Sequence, residues 1–189
     1  MKLYIKNMVS NRCKRIVKSE LEFFGLYSAT VKLGEIEIKE MVSEEQLSAL
    51  SGLLANSGFS LLSEKNNILV ERIKTIIIDL VHYSGKQLAV NISEYLSIKL
   101  KYSYNDMARI FSKHQGMTIE QYLHSHTIEK AKELLIYKEL NITEIADLLN
   151  YNSVHQLSNQ FKKSTGLTPS QYKQLRLKQR KVIENVLTY

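Results

Sequence analysis

The chain has 189 residues, with 26 Lys and Arg against 19 Asp and Glu, a formal charge of +7 and one cysteine. That length supports one or two small domains with cores of their own, and a single thiol excludes an intrachain disulfide. The longest apolar stretch, residues 76–81, contains Asp79 and falls far short of the ~20 residues a bilayer span needs, and Lys6, Arg12, Lys14 and Arg15 break any signal-peptide pattern, so the expected location is the cytoplasm. The charge is uneven: residues 1–84 hold 11 basic and 10 acidic side chains, and residues 85–189 hold 15 and 9. A basic excess confined to one half points to a polyanion partner.

In chain order, residues 2–6 alternate, with Leu3 and Ile5 on one side, and predict a short strand. Cys13, Ile16, Val17, Leu21 and Phe24 fall at helical spacing over residues 11–24. Residues 29–40 are two alternating runs meeting at Gly34-Glu35, a hairpin pattern. Ser43-x-x-Gln46 caps a helix containing Leu47, Leu50, Leu53 and Leu54, and residues 58–62 read as a last strand. The order predicts an α+β ferredoxin-like sandwich, βαββαβ, over residues 1–64. The polar stretch 63–67 marks a boundary, after which an apolar-faced helix over residues 68–83 ends at Gly85. Its face suits packing against the next element better than a dimer seam, being under three heptads long.

Residues 68–189 read as all-α. Two helix-turn-helix modules, 92–114 and 142–164, flank a long helix from 119 to about 138. In the first, residues 92–100 support a reading helix at 103–114. Thr118 caps the long helix, whose stripe is Tyr122, Leu123, Ile128, Ala131, Leu134 and Leu135. In the second, Ile145, Ala146 and Leu149 face Leu157 and Phe161 across the turn Asn150-Tyr151-Asn152. Asn141-x-x-Glu144, Ser153-x-x-Gln156 and Thr168-x-x-Gln171 are three capping-box patterns, and Asn150 sits where a left-handed backbone is expected.

Residues 103–122 align without a gap on residues 153–172, with seven of the twenty positions identical: Ser103/Ser153, Phe111/Phe161, Lys113/Lys163, Gly116/Gly166, Thr118/Thr168, Gln121/Gln171 and Tyr122/Tyr172. The preceding helices align only with a one-residue slip, so the first turn is expected to be one residue shorter. The long helix would span ~30 Å, close to the ~34 Å between successive major-groove turns. The last helix gathers Lys173, Arg176, Lys178, Arg180 and Lys181, a cluster suited to phosphates.

Residues 72–175 resemble the DNA-binding domain of the AraC/XylS family of transcription regulators. The resemblance rests on Ile142-x-Glu144-Ile145-Ala146, on Asn150-Tyr151-x-Ser153, and on Phe161-Lys162-Lys163-x-x-Gly166-x-x-Pro169-x-x-Tyr172. The first module adds Phe111-x-Lys113-x-x-Gly116, Tyr122-Leu123 and Ala131-Lys132-x-Leu134-Leu135. It implies two helix-turn-helix modules joined by a long helix, and a sequence-specific regulator. Leu157, Asn159, Asn150 and Thr127 depart from the family's usual aromatic, Arg, Gly and Arg. Residues 1–64 resemble the heavy-metal-associated domain of copper chaperones, through element order, Gly58-Phe59 and Met8-Val9-Ser10-Asn11-Arg12-Cys13. Ser10 stands at the family's first metal cysteine, leaving Cys13 as the one candidate thiolate, and Cu(I) prefers two.

Outward positions of the reading helices are the expected base readers: Asn105, Arg109 and Ser112 in the first, and His155, Gln156, Ser158 and Asn159 in the second. Arg suits guanine and Asn suits adenine bidentately. Lys113, Lys162 and Lys163 are expected on phosphates. The expected partner is double-stranded DNA, with RNA polymerase and a ligand or partner of residues 1–64 as further candidates, and no cofactor. Two other readings are a metal-responsive protein using Cys13 and an architectural DNA binder without sequence preference. His124 and His126, two apart on a helix, point to different faces. The sequence shows no nucleophile–base pair or phosphate loop.

Overall fold

The computed structural model describes residues 1–83, 91–137 and 140–175. Gly85, Lys138, Arg176, Lys178, Arg180 and Lys181, singled out in the sequence, lie outside them. The described chain forms two compact units: residues 1–79 with 96–118, and residues 80–95 with 119 onward.

In the first unit, β1 (Lys2–Lys6), α1 (Asn11–Phe23), β2 (Thr30–Lys32), β3 (Glu35–Glu37), α2 (Glu44–Asn56) and β4 (Ser60–Leu62) follow in order. The sheet is antiparallel with strand order β2-β3-β1-β4. Its register sets Leu3 opposite Ile36 and Ile5 opposite Leu61. Alternation therefore turns Ile5 and Ile36 inward, where Val17 and Leu21 of α1 and Leu50 and Leu54 of α2 complete one core with Met8, Ile38 and Phe59. Ser43 and Gln46 close a full capping box on α2.

The strands are shorter than the alternating runs suggest. Gly58 takes φ +83, its N–H reaches Ala55 O, and Phe59 N–H reaches Leu54 O. These are the two bonds of a Schellman cap, so Gly58-Phe59 ends α2 and the strand starts only at Ser60. Gly34 makes the hairpin turn at φ +70, and an added Cβ there would lie 2.7 Å from Thr75 Cγ2. Only glycine satisfies both demands.

That methyl belongs to α3 (Lys65–His82), which begins three residues earlier than expected and is tied to the sheet by its first half. The buried Glu71 carboxylate accepts the Asn7 N–H at 3.2 Å and pairs with Lys74 at 2.9 Å. The Arg72 guanidinium lies 5.6 Å from the Tyr4 ring centroid. The first unit also holds most of α4 (Ile92–Leu100) and all of α5 (Tyr104–Gln115). Leu96, Leu100, Met107 and Phe111 are buried.

In the second unit, α6 (Ile119–Tyr137), α7 (Ile142–Leu148) and α8 (Val154–Thr165) pack together. Ile128, Ala131, Leu134 and Leu135 of α6 meet Ile145 and Ala146 of α7 and Leu157 and Phe161 of α8. Residues 169–175 are helical, and Tyr172 sets its ring edge-on to Phe161 at 5.4 Å. The capping boxes Asn141/Glu144 and Thr168/Gln171 both close reciprocally.

Candidate nucleic-acid interface

The helices α5 and α8 are built alike. Both have 12 residues, a serine N-cap (Ser103, Ser153) and a left-handed glycine C-cap (Gly116, Gly166). Both bury two residues four apart, Met107 and Phe111 in α5 and Leu157 and Phe161 in α8. The turns before them differ by the expected residue. Lys101 (φ 57) precedes Ser103 by two positions, whereas Asn150 (φ 60) precedes Ser153 by three. At the second turn Tyr151 N–H reaches Ala146 O and Asn150 N–H reaches Asp147 O, a Schellman cap with asparagine at the left-handed position. Burial pushes the Tyr151 hydroxyl up to about 12.

With those faces buried, equivalent exposed positions project at four-residue intervals: Asn105, Arg109 and Lys113 on α5, and His155, Asn159 and Lys163 on α8. Lys162 is exposed as well, while Ser112 and Ser158 are half-buried at the edges of the face. Arg109 leans on Asp106 at 3.3 Å, with both side chains well exposed. Such a pair is worth at most ~1 kcal/mol, so the guanidinium can exchange it for another partner at little cost. The Asn159 amide donates to His155 Nε2 at 2.9 Å, fixing two candidate readers against each other.

Gln156 is placed otherwise. Its carbonyl oxygen accepts the Asn152 N–H at 3.0 Å, and its own N–H goes to Ser153 Oγ at 3.1 Å. The Ser153-x-x-Gln156 pattern thus closes one residue further back than a standard box, on the Asn152 N–H. Lys113, Lys162 and Lys163 have no carboxylate partner among the described residues.

The histidines of α6 take separate partners. His124 Nε2 lies 3.1 Å from Ser164 Oγ, and burial, then the nearby Lys163 charge, lowers its pKa. His126 Nδ1 lies 3.3 Å from His82 Nε2, with the Tyr122 ring 4.6 Å away. Burial, then Lys130, lowers the His82 pKa against weaker opposing effects of Glu133 and Glu129. No sequence signal points to this pair, whose members are 44 positions apart with no shared motif.

In the N-terminal sheet domain, Met8 is fully buried with its sulfur accepting the Gly34 N–H at 3.0 Å. Cys13 Sγ sits 3.1 Å from Ser10 Oγ. Burial raises the thiol's pKa, but hydrogen bonds from the Ser10 hydroxyl and the surrounding backbone outweigh it and hold it below the usual value. Among the described residues no three His, Cys, Asp or Glu side chains gather as a metal site, and no helix is long and apolar enough to cross a membrane.

Residues 96–175 match a family model described as a helix-turn-helix domain. The chain is similar to the xylose operon regulatory protein of Escherichia coli K12, 34% identical over 71 residues covering 38% of this chain and 18% of that protein. It is also similar to the probable transcriptional regulator LumQ of Photobacterium leiognathi, 23% identical over 157 residues covering 79% and 62%. Among solved structures it is similar to the C-terminal domain of AraT, a response regulator from Geobacillus stearothermophilus, with TM-score 0.50 and 29% identity over 59% of this chain and 88% of that one. The chain therefore spans less than two thirds of the length of these curated relatives.

Proposed function

We propose that the chain is a sequence-specific transcription regulator of the AraC/XylS type that inserts α5 and α8 into successive major grooves, a reading supported by the match of residues 96–175 to a helix-turn-helix domain. The observation that carries this reading is the paired construction of the two helices. Equivalent caps and buried residues hold Asn105 and Arg109, and His155 and Asn159, at matching exposed places. Arg109 then suits a guanine, and Asn105 and Asn159 suit adenines. Lys113, Lys162 and Lys163 set the register on phosphates. RNA polymerase is the further partner that a promoter-bound activator needs, and the cytoplasm is where both would meet DNA.

Residues 1–64 are read as a ferredoxin-like module for a ligand or partner, supported by the βαββαβ order and the strand sequence β2-β3-β1-β4. The metal-responsive reading gains nothing from the geometry, since Met8 is buried on Gly34 and Cys13 is hydrogen-bonded to Ser10.

The test is selection of bound duplexes from a random pool by the full chain, followed by sequencing. A motif with two half-sites about one helical turn apart supports the proposal. Recovery without a motif, with one salt slope for all duplexes, replaces it with architectural binding.

A further inference from the structure

We propose that the groove between α1 and β2 binds an extended acidic peptide, which adds as a fifth strand to the free edge of the sheet. Lys14, Arg15 and Lys18 of α1 form one wall of this groove, and Ala29, Thr30 and Val31 the other, around ≈ 520 Å³. β2 is the terminal strand, and no strand pairs with its outer side among the described residues. An edge of this kind presents a row of backbone donors and acceptors for pairing.

The charge is available. Lys14 and Arg15 have no carboxylate partner among the described residues, and Lys18 has only a 3.7 Å contact to Glu22 between two exposed side chains. The spacing fits a strand. Lys14 and Lys18 stand one helical turn apart, ~6 Å along the axis. Side chains on one face of an added strand repeat every ~6.6 Å. Two carboxylates at alternate positions therefore meet the two ammonium groups, with Arg15 beside them. Phe23 at the end of α1 and Tyr27 in the connection to β2 are 84% and 76% exposed, apolar surfaces on the segment that joins the two walls. Nucleic acid fits less well, because no lining residue is aromatic and bases would have nothing in the groove to stack on.

The experiment measures fluorescence anisotropy of the full chain with a short labelled peptide alternating glutamate and valine. Three controls are an isomer with its glutamates consecutive, a version N-methylated at alternate amides, and a labelled oligothymidine. The alternating peptide is expected to bind, with each altered peptide weaker by roughly tenfold. The double variant Arg15→Glu/Lys18→Glu, changed only at exposed positions, is expected to lose it and to gain the corresponding lysine-valine peptide. Absence of binding by the alternating peptide, equal binding of the N-methylated or consecutive peptide, or an affinity unmoved by charge reversal overturns the proposal. Tighter binding of oligothymidine overturns the choice of partner.

Discussion

Arg109 and Asn159 occupy equivalent places on α5 and α8, yet in the proposed reading they suit different bases. Among the described residues Arg109 pairs with the exposed Asp106, so its truncation leaves the packing of the helix intact and, in the proposed reading, removes a guanine contact. Arg109→Ala is expected to weaken binding to the selected site by ~1–3 kcal/mol and to relax one base position, measured by titration against the single-base variants of that site. Lys113→Ala, one turn further on, is expected to weaken all duplexes alike and to lower the salt slope by ~1. Helical spacing alone pointed to these outward positions. It did not settle Gln156, which satisfied two readings, cap and base reader. Its place in the cap depended on the backbone of the turn, where the Asn152 N–H comes within reach of the Gln156 side chain.

At the scale of elements, the caps and turns decide how firmly the reading helices are held. Asn150 and Lys101 both adopt the left-handed conformation, but only asparagine does so at low cost. Asn150→Ala is expected to destabilise by ~1 kcal/mol and Lys101→Asn to stabilise by a fraction of that, read from urea midpoints at constant m-value. The one-residue difference between the turns was legible, since the repeat aligned the reading helices at one offset and the supporting helices at another. The strand lengths were less so. Alternation over residues 58–62 looked like a strand throughout, but the first two residues close the helix before it.

At the scale of the whole molecule, stability depends on pH through His82, His124 and Tyr151. Burial holds the pKa of His82 and of His124 below the ordinary histidine value, so between the two values the unfolded chain binds the extra protons. Their contribution is complete above ~6.5 and is lost as pH falls below it. Tyr151, pushed up to about 12, works in the opposite sense: the unfolded phenol ionises first, so stability falls as pH rises above ~10. Thermal melts across pH are expected to show both losses, and an acid limb unchanged in His82→Asn/His124→Asn would remove the histidines from the account. The division into units was the least legible feature. The polar stretch 63–67 reads as a boundary, while the chain passes from one compact unit to the other after Asp79, inside an unbroken α3 where composition does not change.

The likeness of α5 and α8 in build, with unlike residues on their exposed faces, bears on how a promoter is arranged. Identical readers related by a two-fold axis see the same letters from either end, which is why dimeric helix-turn-helix proteins favour palindromes. In the proposed reading, two unlike readers on one chain see a site with a beginning and an end. In that reading a site turned around on the chromosome still captures the protein, but in the opposite orientation. Inverting it in a reporter promoter is therefore expected to preserve occupancy in footprinting while changing transcription.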